Sequence, residues 1–228
     1  MTHNELFFFL QIGVNVALLF FCLWRGRVYL NIYHVFQILL ANLLVYKQVN
    51  IFSMEITASD VFAIGTLLSL NMIREFYGKK AANEAIYSSF VFLVLYVVFV
   101  QIHLFFIPSQ FDVTHDAYSL LMKPSLRIVS ASLFTFLVVQ KIDLYLFNIF
   151  KRIIPQYFSV RVFGCILLTN FIDTVMFSFL GLYGILHNLL DVMVVSYIIK
   201  LIISLISTSV LDISKNIDRK DEFIGNLK

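Results

Sequence analysis

Seven uninterrupted apolar runs, each close to the length a helix needs to cross a hydrocarbon layer, govern what this chain can fold into. They cover about Leu6 to Trp24, Tyr29 to Val49, Ala58 to Phe76, Ala85 to Ile107, Leu126 to Ile149, Val160 to Gly184 and Asn188 to Val210. At about 1.5 Å of rise per residue, roughly 20 residues match a hydrocarbon core about 30 Å thick. Lipid offers backbone N–H and C=O groups no partners, so only helices or closed barrels can span it, and continuous apolar runs without period-two alternation exclude the barrel. The expected fold is an all-α membrane protein of seven transmembrane helices. Composition agrees: 60% of the residues are hydrophobic and 14% charged, more apolar surface than a soluble domain of 228 residues could cover.

Charge placement then orients the runs. If every run crosses, Arg25, Arg27, Arg74, Lys79, Lys80, Lys151, Arg152, Arg161, Lys215, Arg219, Lys220 and Lys228 fall on one side, which is 12 of the 17 basic residues. Lys47, Lys123 and Arg127 fall on the other, and Lys141 and Lys200 lie inside runs. Cytoplasmic loops carry the excess of Lys and Arg, so the N-terminus is expected outside and the C-terminus inside. The start, Met1-Thr2-His3-Asn4-Glu5, lacks the basic region of a cleavable signal, and the first run is expected to stay as an anchor. The net charge of +3 is too small to point to nucleic acid.

Several chemistries are missing. Cys22 and Cys165 both lie within runs, so no disulfide framework or thiolate metal site is implied. His3, His34, His103, His115 and His187 show no one-turn pairing and no carboxylate cluster, which argues against a metal and against an intramembrane metalloenzyme. With no Walker-type loop, nucleophile elbow or dinucleotide fingerprint, no cofactor, no direct ATP binding and no enzymatic activity are expected. All three prolines, Pro108, Pro124 and Pro155, fall in connections, so a site must be built from side chains on continuous helices. The segment from Pro108 to Pro124, with Asp112, His115 and Asp116, reads as a solvated connector before it reads as a lid.

What remains is a set of polar groups at membrane depth. Asp173 lies about halfway along the sixth run and Lys200 halfway along the seventh, and the short connection at Leu186-His187 makes these helices antiparallel neighbours. A charge at the bilayer centre costs about 2.5 to 3.5 kcal/mol on insertion scales, so the two need each other or a polar ligand. The plain alternative is a structural ion pair that sets helix register. Asn170 precedes Asp173 by three residues and shares its face, with Phe177 one turn further on. The fifth run repeats that order with Gln140, Asp143 and Phe147. Asp143 sits towards the cytoplasmic end and ranks below Asp173 as a ligand contact. Arg127, with Ser130 and Ser132 behind it, opens the fifth run as an interfacial anchor or a ligand clamp. Asn42 and Asn71 add amides at useful depth, either for a ligand or for packing, and Glu75 beside Arg74 reads equally well as a helix end.

These residues resemble the signatures of the queuosine-precursor transporter family, also called the vitamin uptake transporter group. Arg161 to Gly164 followed by Thr169-Asn170-Phe171-Ile172-Asp173-Thr174 and Phe177 resembles its "S/N-Q-x-I-D-T-x-x-F" helix. Leu40-Ala41-Asn42-Leu43 with Lys47 resembles "x-A-N-x-x-x-x-K", and Glu75-Phe76-Tyr77-Gly78-Lys79-Lys80 resembles "N-E-V-Y-G-K-K". Arg127-Ile128, Ser130-Ala131-Ser132, Gln140 and Asp143 resemble "R-I-x-x-A-S…S-Q-x-x-D", and Tyr197 with Lys200 resembles "Y-x-x-K". The chain departs from the family where Asn71-Met72-Ile73-Arg74-Glu75 stands in place of Asp-x-x-Asn-Glu, and where Asn170 stands in place of Gln.

The resemblance implies a six-helix core over residues 29–211, like the substrate-capture subunits of energy-coupling-factor transporters. Residues 1–28 would be an additional N-terminal transmembrane helix and 212–228 a cytoplasmic tail. It implies import of a 7-deazaguanine queuosine precursor (queuine, preQ1 or preQ0) across a bacterial cytoplasmic membrane for tRNA modification. Dimerisation is left open. On that reading Asp173 takes the N–H edge of the base, Asn170 and Asn42 serve its carbonyl and ring nitrogens, Phe177 or Tyr197 stacks, and Lys200 keeps Asp173 ionised between ligands. The alternative is a substrate-binding membrane subunit that relies on partner ATPases.

Overall fold

The computed structural model describes residues 3–45, 47–52, 54–57, 59–122, 126–184, 189–209 and 211–217. Helix α1 spans His3–Arg25 and α2 Arg27–Leu44; strands β1 (Gln48–Ile51) and β2 (Met54–Thr57) form a hairpin. Then follow α3 (Asp60–Leu104), α4 (His115–Met122), α5 (Leu126–Ile153), α6 (Phe158–Phe177) and α7 (Leu189–Thr208). A π-turn, Ser178–Leu182, extends α6, and a 3₁₀ turn, Leu211–Asn216, follows α7. Among the described residues, five helical segments are long and apolar enough to cross a membrane: His3–Arg25, Asp60–Leu104, Ser130–Ile153, Phe158–Gly181 and Met193–Asn216. The chain is an all-α, multi-pass membrane protein.

Glycine sets two of the breaks. Gly26 (φ 109°, ψ −176°) separates α1 from α2 across a single residue. Gly78 (φ 83°, ψ −178°) divides α3 into arms 60–77 and 79–104. Both angles lie in a region essentially closed to residues with a Cβ. Drawn straight, the 45 residues of α3 would be about twice as long as the hydrocarbon layer is thick. The break at Gly78 falls on the connection expected between the third and fourth runs.

The second run ends earlier than its hydropathy suggests, at Leu44 and not Val49. Residues 48–51 pair antiparallel with 54–57, Gln48 opposite Thr57 and Ile51 opposite Met54. Alternation of polar Gln48 and Asn50 with β-branched Val49 and Ile51 suits a two-sided strand, so hydropathy alone overran the helix end. Phe52, at φ 51°, opens the turn and packs edge-on against Phe8 and Phe9. Asn4 Nδ2 donates to Asn50 O at 3.0 Å, tying the start of α1 to the hairpin.

Helices α1, α2 and α3 are joined by buried amides. Asn15 Oδ1 accepts from Tyr33 Oη (2.6 Å) and Gln37 Nε2 (2.8 Å), while Asn15 Nδ2 donates to Val61 O (3.1 Å). Gly65 permits that approach: a Cβ there would stand 2.5 Å from Gln37 Oε1. His34, fully buried, holds Nδ1 2.9 Å from Ser69 Oγ. Helices α5, α6 and α7 form the other half. Gly164 against Phe150 and Gly181 against Ala131 set α5 and α6 antiparallel, a register that puts Gln140 level with residues 172–173.

Candidate functional site

Helices α6 and α7 also run antiparallel, and three contacts hold them: Tyr197 Oη to Leu167 O (3.2 Å), Lys200 Nζ to Asp173 Oδ2 (2.9 Å) and Asn170 Nδ2 to Ser204 Oγ (3.5 Å). The mid-helix acid and the mid-helix amine therefore do meet. Their exposure differs in a way that bears on function: the Lys200 side chain is 10% exposed, that of Asp173 31%. Among the described residues Asp173 Oδ1 accepts no hydrogen bond, so one carboxylate oxygen is anchored and the other open. Lys200 also feels the charge of Asp60, buried at the start of α3. Behind it, Ser204 Oγ donates to Lys200 O (2.6 Å) and Asn170 is 2% exposed. The ring of Tyr197 meets Phe171 edge-on at 5.8 Å.

A second polar group lies between α3, α5 and α6. Asn71 Nδ2 donates to Asp143 Oδ2 and to Leu67 O, both at 2.8 Å, and both Asn71 and Asp143 are fully buried. Gln140, one turn from Asp143, is buried as well. Elsewhere Asn42 accepts from Ser132 Oγ (3.3 Å) and donates to Ile38 O (2.9 Å), joining α2 to α5.

Other expected site residues lie apart from Asp173. Glu75 takes Arg161 Nη2 on Oε1 (2.7 Å) and Lys151 Nζ on Oε2 (2.8 Å), which makes it the hinge of an ion-pair cluster at the basic end. Arg161 is 1% exposed, lies over the rings of Phe147 and Phe158, and donates to Pro155 O. Arg27 pairs with Glu84 at the same end. Phe177 lies against Gly181, and Ser130 is exposed. The side chain of Arg127, the connection Leu186-His187, the far end of the Pro108 to Pro124 segment and the tail beyond Ile217 are outside the described residues. Two contributors were not picked out from the sequence: Asp60 and Ser204. Asp60 carried a readable signal, an acid following Ser59 at the start of an apolar run, which reads first as helix capping. Among the described residues no group of three His, Cys, Asp or Glu is placed to hold a metal.

Residues 57–213 match the family described as "Putative vitamin uptake transporter". The chain belongs to that family. This transporter is also similar to a curated protein of Bacillus subtilis (strain 168) called "Probable queuosine precursor transporter", with 27% identity over 227 residues, 97% of this chain and 99% of the relative. No solved structure matches it. The protein is a multi-pass membrane transporter and not an enzyme.

Proposed function

We propose that this transporter imports a 7-deazaguanine precursor of queuosine and that Asp173 is the residue that receives the base. The observation that carries the reading is the half-open Asp173 carboxylate, held on one oxygen by buried Lys200 and, among the described residues, without a donor on the other. A guanine-like edge presents adjacent N–H donors, which a carboxylate accepts as a pair of charge-assisted bonds. Lys200 neutralises the acid in the empty site and shares it when the base arrives. Asn170, on the same face of α6, serves the carbonyl and ring nitrogens, and Tyr197 covers a face. The name of the Bacillus relative supports this ligand class. The chain lies in a bacterial cytoplasmic membrane with its N-terminus outside, a reading supported by the basic cluster of Arg27, Lys151 and Arg161 at one end. Residues 29–211 form the transport core.

The test is replacement of Asp173 with Asn in a host unable to make queuosine precursors, read as queuosine content of tRNA when queuine, preQ1 and preQ0 are supplied in turn. The wild-type chain restores tRNA queuosine with one or more of them. Asp173→Asn reaches the membrane in normal amount and restores none; normal restoration by this variant refutes the assignment. Uptake into proteoliposomes containing this chain alone separates a self-sufficient carrier from a subunit that needs partner ATPases.

A further inference from the structure

Acids inside this bundle are balanced by cations, with one exception among the described residues. Asp173 has Lys200, Glu75 has Arg161 and Lys151, and Asp60 is within the field of Lys200. Asp143 is fully buried, yet the groups beside it are neutral: the amide of Asn71, which donates to Oδ2, and the hydroxyl of Thr169. An isolated carboxylate in such surroundings costs several kcal/mol unless it is paired or neutralised.

The groups facing it confirm the imbalance. From α3 comes Asn71, whose Nδ2 is already committed to Leu67 O and Asp143 Oδ2. From α6 come Cys165 and Thr169, the latter donating its one hydroxyl proton to Cys165 O at 2.8 Å. Arg161, one turn along α6 from Cys165, is bound to Glu75. On α5 itself, Lys141 points out to Asn83 and Gln140 is buried. Three buried oxygens, Asp143 Oδ1, Asn71 Oδ1 and Gln140 Oε1, are left without a donor. Every orphan in this group is an acceptor, so the cluster is short of donors.

We infer that Asp143 is a proton-binding site, its acid proton supplying one donor to the acceptor-rich cluster it shares with Asn71 and Gln140, and that exchange of this proton couples transport to a pH gradient. The exchange is a simple protonation: Asp143 Oδ1 gains a proton from one side, becoming a neutral O–H donor, and returns it to the other. A full ion pair would hold Asp143 charged through the cycle; a neutral amide partner leaves it free to change charge. The position also suits the role. Asp143 on α5 and Asp173 on the adjacent α6 take part in separate contacts, with Asn71 and with Lys200, so a ligand at one and a proton at the other can bias the same helix pair without competing for one carboxylate. This rests on the transporter assignment and not on which base is carried.

The experiment is infrared spectroscopy of the purified transporter in lipid nanodiscs at neutral pH, paired with uptake into proteoliposomes of queuine, preQ1 and preQ0. Expected is a carboxylic-acid carbonyl band in the wild-type chain that is lost in Asp143→Asn, retained in Asp143→Glu and unchanged by added sodium. No such band, or one that persists in Asp143→Asn, overturns the proposal. A band that sodium abolishes at constant pH assigns the site to a metal cation and overturns it too. In proteoliposomes an imposed inside-alkaline gradient accelerates wild-type and Asp143→Glu uptake, and Asp143→Asn loses that acceleration; acceleration that survives in Asp143→Asn, or none in the wild type, sinks the coupling. If none of the three bases enters, the ligand reading fails while the infrared result still decides whether Asp143 holds a proton.

Discussion

Three ion pairs in this protein show how burial separates a structural tie from a working one. Arg161 is almost wholly enclosed, stacked over Phe147 and Phe158, and spans from α6 to Glu75 on α3. Removing one partner of such a pair leaves a buried charge, so Arg161→Leu is expected to cost about 3 to 5 kcal/mol, measured as unfolding in mixed detergent. Lys151, which shares the same Glu75 but is 49% exposed, is expected to cost about 0 to 1 kcal/mol on replacement with Ala. Lys200–Asp173 lies between these limits because the acid is partly open. Replacing Lys200 with Met is expected to impair ligand binding more than folding, seen as lost uptake with the protein still monodisperse in detergent. Restoring stability in the Lys200→Met, Asp173→Asn double variant without restoring uptake would separate the two roles.

At the scale of elements, the strongest local constraint is the break within α3. Gly78 has open space where a Cβ would sit, so only its backbone angles demand glycine. Gly78→Ala is expected to destabilise by about 1 to 3 kcal/mol, whereas Gly13→Ala, within α1 and with equal room, is expected to stabilise by roughly 0.5 to 1 kcal/mol. Equal effects at the two sites would show that the break is not held by its dihedral angles. Gly65 differs from both, since a side chain there would dislodge Gln37 from Asn15 and loosen α1 and α2 from α3 together. The connector before α4 is organised by Asp112, which accepts the Thr114 hydroxyl at 2.7 Å and the Thr114 N–H at 2.8 Å. Those two bonds hold the exposed Asp112 carboxyl below the usual range. A depressed value means that the turn is fully supported above the ordinary carboxylate range and loses that support as pH falls through the lowered value. Hydrogen exchange at Thr114 is expected to lose protection there, and a flat profile would show that the two bonds do not order the turn.

For the molecule as a whole, its two halves carry different kinds of glue. Helices α1 to α3 interlock through neutral amides, with Asn15 at the centre, while α5 to α7 pair their charges with one another and with Glu75 of α3. A transporter that moves one half against the other would shear the contacts between α3 and α5, where Asn71 meets Asp143 and Arg74 meets Asn148. Reporter fusions test the proposed orientation: an enzyme that folds only outside the cytoplasm is expected to be inactive when fused after Gly78 and active when fused after Phe111. The reverse pattern would invert the topology and with it the direction assigned to the basic end.

Hydropathy and charge, both readable residue by residue, determined that this chain spans a membrane as helices, where α3 breaks and which end gathers the basic residues. Spacing was also enough to bring Asp173 and Lys200 together, because mid-helix charges on consecutive antiparallel helices have few other partners. Tertiary structure alone decided the rest. Residues 48–57 pair as a hairpin because their alternation outweighs their hydropathy. Glu75 is held by Arg161, and the charge of Asp60 acts on Lys200 from a helix start far away in sequence. Asp143 is left facing an amide because α3 presents Asn71 at that level, and which neighbour a buried acid meets depends on helix rotation and depth, which no single helix encodes.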